Sequence, residues 1–198
     1  MAEQELIAQG AEAKIYKRGG SLVKERFAKN YRISELDISL RESRTKREGV
    51  ILKKIPQYSP ALIRVDKTSL ELAFIEGTIM KDALDEKPSL AEQIGVILAE
   101  LHKQDIIHGD VTTSNMILTP EQKVVFIDFG LSSISKRIED KAVDIHLFRQ
   151  ALESKHALIW ENAFIHFLAG YRETNPDSEE IFERLAIVES RGRNKQKF

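Results

Sequence analysis

The segment that most constrains this chain runs over residues 108–130. It begins with the letters HGDVTTSN, passes through the apolar run Val124–Ile127 and ends in Asp-Phe-Gly. An apolar β-type run that stops at an acid and a glycine places the carboxylate of Asp128 at the exit of a strand. Carboxylate and amide oxygens are the ligands that Mg²⁺ prefers. The ordered pair of motifs therefore predicts that Asp110, Asn115 and Asp128 converge on one divalent cation, a conclusion that neither motif supports alone.

The spacing of these three residues is typical of phosphoryl transfer. In a kinase catalytic loop, an Asp at the position of Asp110 orients or deprotonates the acceptor, and an Asn at the position of Asn115 binds metal. A cation at Asp128 would stabilise the charge on the transferred group. Each residue also has an ordinary alternative, respectively a turn cap, a left-handed backbone position and an Asx turn. Because all three occur together, we expect ATP and Mg²⁺ as cofactors.

Composition narrows the class of protein. With 198 residues, 42% of them hydrophobic, the chain can bury one globular core or two small lobes. A net charge of −1 gives no overall basic field for nucleic acid, and the absence of Cys excludes disulfides, thiolate metal sites and Cys nucleophiles. There is neither a signal-like N-terminus nor an apolar run of membrane-spanning length, so we expect a cytoplasmic protein without membrane contact.

The first half of the chain has the pattern of strands around one helix. The predicted elements are strands at 6–7, 15–16 and 22–24, a helix over 34–55, and a strand pair at 62–66 and 70–75. Pro56 stops the helix, and Gly77 breaks the strand pattern. We place the boundary between an N-lobe (1–76) and a C-lobe (77–190) there.

The second half is predicted to be mainly helical. Ser89 and Glu92 have the spacing of a capping box, which predicts a helix N-terminus at that point. Further helices are expected at about 140–154, 158–172 and 178–190, followed by a basic tail over 191–198. Strands first and helices second indicate an α+β class and a small bilobal, protein-kinase-like fold in a single domain.

The nucleotide contacts are expected in the N-lobe. Gly10, Ala11 and Glu12 form the first tight turn, where backbone amides can approach phosphates, although a lone glycine fits an ordinary hairpin equally well. Lys24, on the third strand, is expected to contact the phosphates, and Glu48 is the helix glutamate expected to pair with it. The alternatives are a solvated lysine and a surface ion pair of little energy.

The segment between the lobes is expected to contact the adenine. Backbone groups of Ala73, Phe74 and Ile75 can hydrogen-bond the edge of the base while apolar side chains sandwich the ring. The alternative is a plain interior strand, and both descriptions can hold.

Residues around the catalytic segment carry further expectations. His108 is expected to be structural, with its imidazole against Asp128 or a backbone carbonyl. Asp144 either accepts catalytic-loop amides or is a surface carboxylate. Gly109 replaces the arginine that reads a phosphorylated loop, and the activation segment after Gly130 is minimal. A regulated kinase that grips extended peptides is therefore not expected.

The octet at 108–115 is also where resemblance to a known family becomes specific. It resembles the small atypical kinase subunit of the KEOPS complex, the PRPK-like family related to RIO kinases, whose pattern is His-Gly-Asp-Leu-Thr-Thr-Ser-Asn. Only Val111 departs from that pattern, and Ala73 stands where an acidic residue is common. The agreement covers nearly the whole chain: Gly10-Ala-Glu-Ala, Lys24, Lys29-Asn-Tyr-Arg32, Leu36-Asp37, Arg44-Thr45 with Glu48, Asp128-Phe-Gly and the C-terminal Arg-Gly-Arg.

The resemblance implies a place in an assembly. It implies ATP·Mg²⁺ binding, a metal-dependent threonylcarbamoyl transferase subunit as partner, and a small subunit docked on the N-lobe. That assembly installs threonylcarbamoyl on adenosine 37 of tRNA, and such kinases act in it mainly as ATPases. The tail would contact tRNA through Arg191, Arg193, Lys195 and Lys197, whereas composition alone favours a solvated tail.

Two other functions stay open from the sequence. One is a free-standing RIO-like protein kinase or small-molecule phosphotransferase, and the other is a nucleotide-binding scaffold without turnover. Intact Asp110, Asn115 and Asp128 argue against the scaffold.

Overall fold

The computed structural model describes residues 4–195, and side chains as far as Arg191. These residues form two compact units, 4–76 with 128–131, and 77–127 with 132–195. The Asp-Phe-Gly segment thus belongs to the first unit, although the chain on either side of it belongs to the second. The main division falls after Glu76, where Gly77 interrupts the strand pattern of the sequence.

The first unit is built on a five-stranded antiparallel sheet. Its strands are β1 (Glu5–Gln9), β2 (Ala13–Arg18), β3 (Ser21–Arg26), β4 (Leu62–Val65) and β5 (Ser69–Ala73), in the order β1-β2-β3-β5-β4. Each of the predicted strands is present. Lys24 lies on the central strand, opposite Ile15 of β2 and Leu70 of β5. This position places the lysine in the middle of the sheet and not at an edge.

One long helix packs on this sheet. Helix α1 (Ser34–Lys54) confirms the prediction for 34–55 and contacts β4 and β5. A Cβ placed on Gly49 would lie 3.0 Å from Val65 Cγ2, so the glycine allows the helix to approach β4 closely. Ile51 and Leu52 are buried beside it. The close packing brings Glu48, the residue directly before Gly49, against the sheet.

The second unit combines short strands with four long helices among its described residues. Its elements are β6 (Thr78–Ile79), α2 (Met80–Ala83), α3 (Ala91–Lys103), β7 (Ile106–Ile107), β8 (Met116–Leu118), β9 (Val124–Phe126), β10 (Ser133–Ile134), α4 (Ile138–Lys155), α5 (Trp160–Thr174) and α6 (Ser178–Lys195). The predicted helices are confirmed, and α6 continues beyond its expected end near 190. Within residues 4–195, none of the helices is both long enough and apolar enough to cross a membrane.

The capping box predicted at Ser89 and Glu92 is wrong. Residues Pro88–Leu90 form a 3₁₀ turn, helix α3 begins only at Ala91, and no side chain caps it. The backbone amide of Ala91 instead donates to the carbonyls of Pro88 and Ser89. The tight turn therefore satisfies an amide that the Ser89 side chain was expected to bind.

Helices α3 and α5 pack at unusually short range through two glycines. A Cβ on Gly95 of α3 would overlap the carbonyl oxygen of Phe167, and a Cβ on Gly170 of α5 would overlap that of Glu92. The rings of Phe148 and Phe167 pack beside this contact, with centroids 4.6 Å apart. The close approach leaves the two helix backbones little freedom to slide.

Candidate functional site

In the first unit, Lys24 and Glu48 form a buried ion pair. The Lys24 ammonium lies 2.7 Å from Glu48 Oε1, and both side chains are almost fully excluded from solvent. The second oxygen of Glu48 accepts from Arg26 Nη2 at 2.5 Å. Sequence reasoning missed Arg26, although strand alternation places it on the same face as Lys24. One carboxylate therefore holds two cations, and neither is a solvated surface charge.

Asp128 joins the same cluster. Its Oδ1 accepts from Lys24 Nζ at 2.6 Å and from the Gly130 amide at 3.1 Å. The backbone of Asp128 is left-handed, with φ of 60°. A non-glycine residue in that conformation is uncommon and is often functional. The Asx turn considered as an alternative is thus present together with the lysine contact, and it aims a half-exposed carboxylate.

Basic side chains hydrogen-bond to the turn at Gly10–Glu12. The amide of Gly10 donates to Ala13 O at 2.9 Å, and the Lys29 ammonium donates to Ala11 O. The Glu12 carboxylate bonds to Arg44 and, at 3.2 Å, to Arg32. Partial burial raises the pKa of Glu12, but the hydrogen bonds from the two arginines outweigh it and hold the pKa below its ordinary value. Glu12 is therefore an anchor of the loop.

Two of the three residues expected to bind adenine already donate their backbone amides to other residues of the first unit. The Ala73 amide donates to Ala61 O at 2.8 Å, and the Phe74 amide donates to Gly20 O at 3.0 Å. Strand β5 ends at Ala73, so Phe74 and Ile75 lie beyond the sheet. Within the described residues, the Ile75 amide donates no backbone hydrogen bond. Of the three predicted amide donors, Ile75 is the one that can serve a ligand without breaking a backbone bond.

In the second unit, Asp110 and Asn115 lie side by side. The Asn115 amide nitrogen donates to Asp110 Oδ2 at 2.8 Å and to the Asp110 carbonyl at 3.0 Å. These two acceptors fix the orientation of the amide group. Asn115 Oδ1 therefore points away from Asp110, and the Asn115 carbonyl accepts from the Ile127 amide at 2.9 Å. The residue before Asp128 is thus bound to the loop over residues 108–115, the predicted catalytic loop.

Asp144 holds the start of that loop. Its carboxylate, fully buried on α4, accepts the His108 amide at 2.6 Å and the Gly109 amide at 2.8 Å. Of the two alternatives, the structure supports the acceptor of catalytic-loop amides. His108 itself packs edge-on against Phe126, and its Nδ1 accepts from the Asp110 amide at 3.2 Å.

Asp144 is supported in turn by His102 and Tyr171, which sequence reasoning missed. His102 Nε2 lies 3.2 Å from Asp144 Oδ2, and His102 Nδ1 lies 2.7 Å from the Tyr171 hydroxyl. Burial lowers the pKa of His102, and the nearby Asp144 opposes this only in part. The imidazole is therefore neutral at pH 7. Burial also raises the pKa of Tyr171.

The predicted tRNA-contacting residues are only partly described. Arg191 Nη1 bonds to Glu139 Oε1 at 2.7 Å, so this cation already has an internal partner. Arg193 and Lys195 are part of helix α6, of which the structure describes only the backbone at these two positions. Lys197 lies outside the described residues. Of the four basic side chains predicted to contact tRNA, the structure therefore describes the position of one.

Each predicted metal ligand carries an oxygen donor that suits Mg²⁺ rather than a softer metal. These donors are the carboxylate of Asp128 in the first unit and, in the second unit, the amide oxygen of Asn115. Among the described residues, no group of three or more His, Cys, Asp or Glu side chains is arranged to hold a metal.

The chain is similar to a defined set of proteins. Residues 11–143 match the family model described as the RIO domain. The chain is 39% identical to the KEOPS complex subunit Bud32 of Pyrococcus abyssi, with 97% of each chain covered. It is 38% identical to the EKC/KEOPS complex subunit BUD32 of Encephalitozoon cuniculi, with 95% of each covered.

A longer relative and two solved structures complete the comparison. The chain is 41% identical to the probable bifunctional tRNA threonylcarbamoyladenosine biosynthesis protein of Methanobrevibacter smithii, covering 95% of the chain and 36% of that protein. The Rio2 kinase of Chaetomium thermophilum has a TM-score of 0.62 at 13% identity, with coverage of 94% and 70%. Monomeric WbdD has a TM-score of 0.58 at 15% identity, with coverage of 79% and 44%. The two structures confirm the predicted protein-kinase-like fold.

Proposed function

Because the chain belongs to the Bud32 family of RIO-domain atypical kinases, we propose that it binds ATP with Mg²⁺ and hydrolyses it as a subunit of a KEOPS complex. The reaction served by that complex is the formation of threonylcarbamoyladenosine in tRNA. The enzyme class is an atypical kinase and ATPase. The name of the longer relative supports the pathway, and the ADP/Mg²⁺ complex of the Rio2 kinase supports the cofactors.

The observation that carries this proposal is the placement of Lys24 between two carboxylates. Its ammonium contacts Glu48 at 2.7 Å and Asp128 at 2.6 Å. Glu48 is buried and holds the lysine in place, whereas Asp128 is half exposed. We propose that Asp128 and Asn115 hold Mg²⁺, that Lys24 contacts the phosphates, and that Asp110 orients the attacking group. The cation supplies charge stabilisation for the transferred phosphoryl group.

The remaining nucleotide contacts are proposed from the first unit. The backbone of Gly10, Ala11 and Glu12 approaches the phosphates, since the Glu12 side chain is occupied by arginines. The base lies against Ala73, Phe74 and Ile75, with the Ile75 amide as donor. These are contacts of backbone groups and tolerate the departure at Ala73 from the family pattern.

Water is the acceptor that the chain fits best. In the second unit, β10 follows shortly after Gly130 and pairs with β7, and α4 begins at Ile138. This leaves little chain for a platform that binds a peptide. The free-standing protein kinase or small-molecule phosphotransferase is the second candidate, and the RIO-domain match favours it over a scaffold without turnover.

The partners are proposed from the family and from exposed residues. The names of the relatives support a multi-subunit complex, in which we propose a threonylcarbamoyl transferase subunit and a small subunit that docks on the N-lobe. Tyr31, Ile33 and Leu36 of the first unit are all more than half exposed, which suits a protein partner there. tRNA is proposed to contact Arg191, Arg193, Lys195 and Lys197.

ATP hydrolysis measured with and without the transferase subunit tests the proposal. We expect hydrolysis by the wild-type chain that the partner stimulates, and its loss in Asp128→Ala. The control is Asp66→Ala, which removes an exposed carboxylate that, within the described residues, pairs with Arg64. Efficient phosphorylation of a substrate without any partner would favour the second candidate. No hydrolysis under either condition would contradict both enzymatic functions.

Deletion of residues 191–198 tests the contact with tRNA. We expect the deletion to lower tRNA-stimulated ATP hydrolysis and to leave unstimulated hydrolysis unchanged, because the cations would act on phosphates of the tRNA. Equal stimulation of the full and the shortened chain would contradict the contact.

A further inference from the structure

The catalytic loop is fastened at a second point that the proposed function does not use. Thr113 belongs to the triplet Thr112-Thr113-Ser114, which lies between Asp110 and Asn115. Thr113 is buried, whereas Ser114 is exposed. The Thr113 hydroxyl lies 2.9 Å from Nε2 of His156. The middle of the loop is thus bound to a histidine far away in the sequence.

His156 connects this loop to the surface. It follows the last residue of α4, and its amide donates to Leu152 O at 2.8 Å. Its ring is buried, and Nδ1 lies 2.6 Å from Oδ1 of Asp85. The Asp85 side chain, in the segment after α2, is 61% exposed. All of these residues belong to the second unit.

The contact with Asp85 indicates which nitrogen of the His156 ring carries a proton. An ionised Asp85 carboxylate can only accept a hydrogen bond, so Nδ1 of His156 carries the proton. In the neutral ring, Nε2 is then the acceptor, and the Thr113 hydroxyl must donate to it. In that form the hydrogen bonds run from the Thr113 hydroxyl to Nε2 and from Nδ1 to the surface carboxylate.

The order of carboxylate, imidazole and hydroxyl is the same as in a hydrolytic triad. A nucleophile must reach its substrate, however, and the Thr113 side chain is only 2% exposed. The arrangement therefore suits a positioning role and not a covalent one. What it positions is the turn between Asp110 and Asn115, whose side chains hydrogen-bond to each other at 2.8 Å.

We propose that Asp85, His156 and Thr113 form a positioning relay that sets the geometry of the catalytic loop. This inference rests on the proposed function, because the loop is the one assigned to phosphoryl transfer. The relay acts in the middle of the loop, whereas Asp144 binds the start of the loop through the amides of His108 and Gly109. Loss of the relay is expected to lower kcat for ATP hydrolysis and to leave the KM for ATP nearly unchanged, since none of its three residues is assigned to nucleotide binding.

Matched variants of the full chain test the relay by kinetics. Asp85→Ala is expected to lower kcat about three- to tenfold, the effect of one lost hydrogen bond, with KM for ATP within about twofold. Glu86→Ala removes a neighbouring exposed carboxylate and is the control. Thr113→Val is expected to lose at least as much kcat, and Thr113→Ser, which keeps the hydroxyl, to recover most of it. Equal kcat for Asp85→Ala and Glu86→Ala, or no recovery with serine, would overturn the relay.

The tautomer of His156 gives a readout independent of activity. Long-range ¹H–¹⁵N correlation spectra of the labelled chain should show the proton on Nδ1 in the wild type and a shift towards Nε2 in Asp85→Ala. A wild-type ring protonated on Nε2, or a spectrum unchanged by Asp85→Ala, would overturn the relay. A wild-type chain that hydrolyses no ATP would instead overturn the proposed function. In that case the spectra by themselves would show whether the relay exists.

Discussion

The carboxylate of Asp144 accepts the backbone amide of Gly109 at 2.8 Å, so a helix in the second unit holds the start of the catalytic loop. Its other oxygen accepts the His108 amide. Because Asp144 and His108 are fully buried, the His108 amide has no water that could replace this acceptor. The position of Asp110, which follows directly, depends on this contact.

Asp144→Ala should therefore damage both stability and activity. The buried His108 amide and the partly buried Gly109 amide would be left without their acceptor, at a cost of about 2–4 kcal/mol in the free energy of unfolding. Urea denaturation measures the loss, and kcat for ATP hydrolysis should fall with it. Asp140→Ala, on the same helix but half-buried and bonded to Ser135, is the control and should cost less. Equal losses for the two variants would contradict the role of Asp144.

Glu48→Gln should be strongly destabilising. The glutamate is buried between Lys24 and Arg26, and its removal leaves two buried cations without their shared anion. Loss of one partner of a buried ion pair costs about 3–5 kcal/mol. Glu35→Gln, exposed on the first turn of the same helix, should change the free energy of unfolding by less than about 1 kcal/mol. Similar denaturation midpoints for both variants would contradict the buried cluster.

Gly170→Ala should destabilise the second unit. The added methyl group would overlap the carbonyl oxygen of Glu92, so α3 and α5 must separate. Overpacking of this kind costs about 1–3 kcal/mol or more. The matched control is Gly20→Ala, since nothing lies within 4 Å of a Cβ at that position and its φ is not positive. Thermal denaturation should separate the two, and an unchanged midpoint for Gly170→Ala would refute the close packing.

His102 predicts how stability depends on pH. Its pKa is lowered in the folded chain because the ring is buried. The unfolded chain then binds more protons. The contribution of the neutral His102 ring to stability is therefore fully present above about pH 6.5. Below that value, the free energy of unfolding falls as the pH drops towards the pKa of the folded chain. His102→Gln should flatten this slope below about pH 6.5, whereas His166→Gln, outside the network, should keep it. Identical slopes for wild type and His102→Gln would contradict a neutral buried imidazole.

The local part of the fold could be predicted from the sequence because its signals are local. Strands β1 to β3 and helix α1 follow from alternation, glycine turns and Pro56. The motif spacing alone predicts the adjacency of Asp110 and Asn115. Ser89 was misassigned because Pro88 favours a 3₁₀ turn at the same place, and a capping pattern cannot reveal which of the two wins.

The supporting contacts could not be predicted because they join distant residues without motifs. His102 and Tyr171 are 69 positions apart, and Asp85 and His156 are 71 apart. Their contacts exist only once the helices have packed, and an isolated His or Tyr on an apolar helix face carries no signal of its partner. Arg26 differs, because its alternation with Lys24 along β3 was a usable signal.

Binding of a non-hydrolysable ATP analogue, measured by calorimetry with and without Mg²⁺, tests the central claim most directly. The account predicts that Mg²⁺ strengthens binding to the wild-type chain and that Asp128→Asn, which removes the charge but keeps the shape, abolishes this strengthening. Asp66→Asn should retain it. Magnesium-dependent binding of equal strength in Asp128→Asn and the wild type would contradict the assignment of Asp128 as a ligand of the cation.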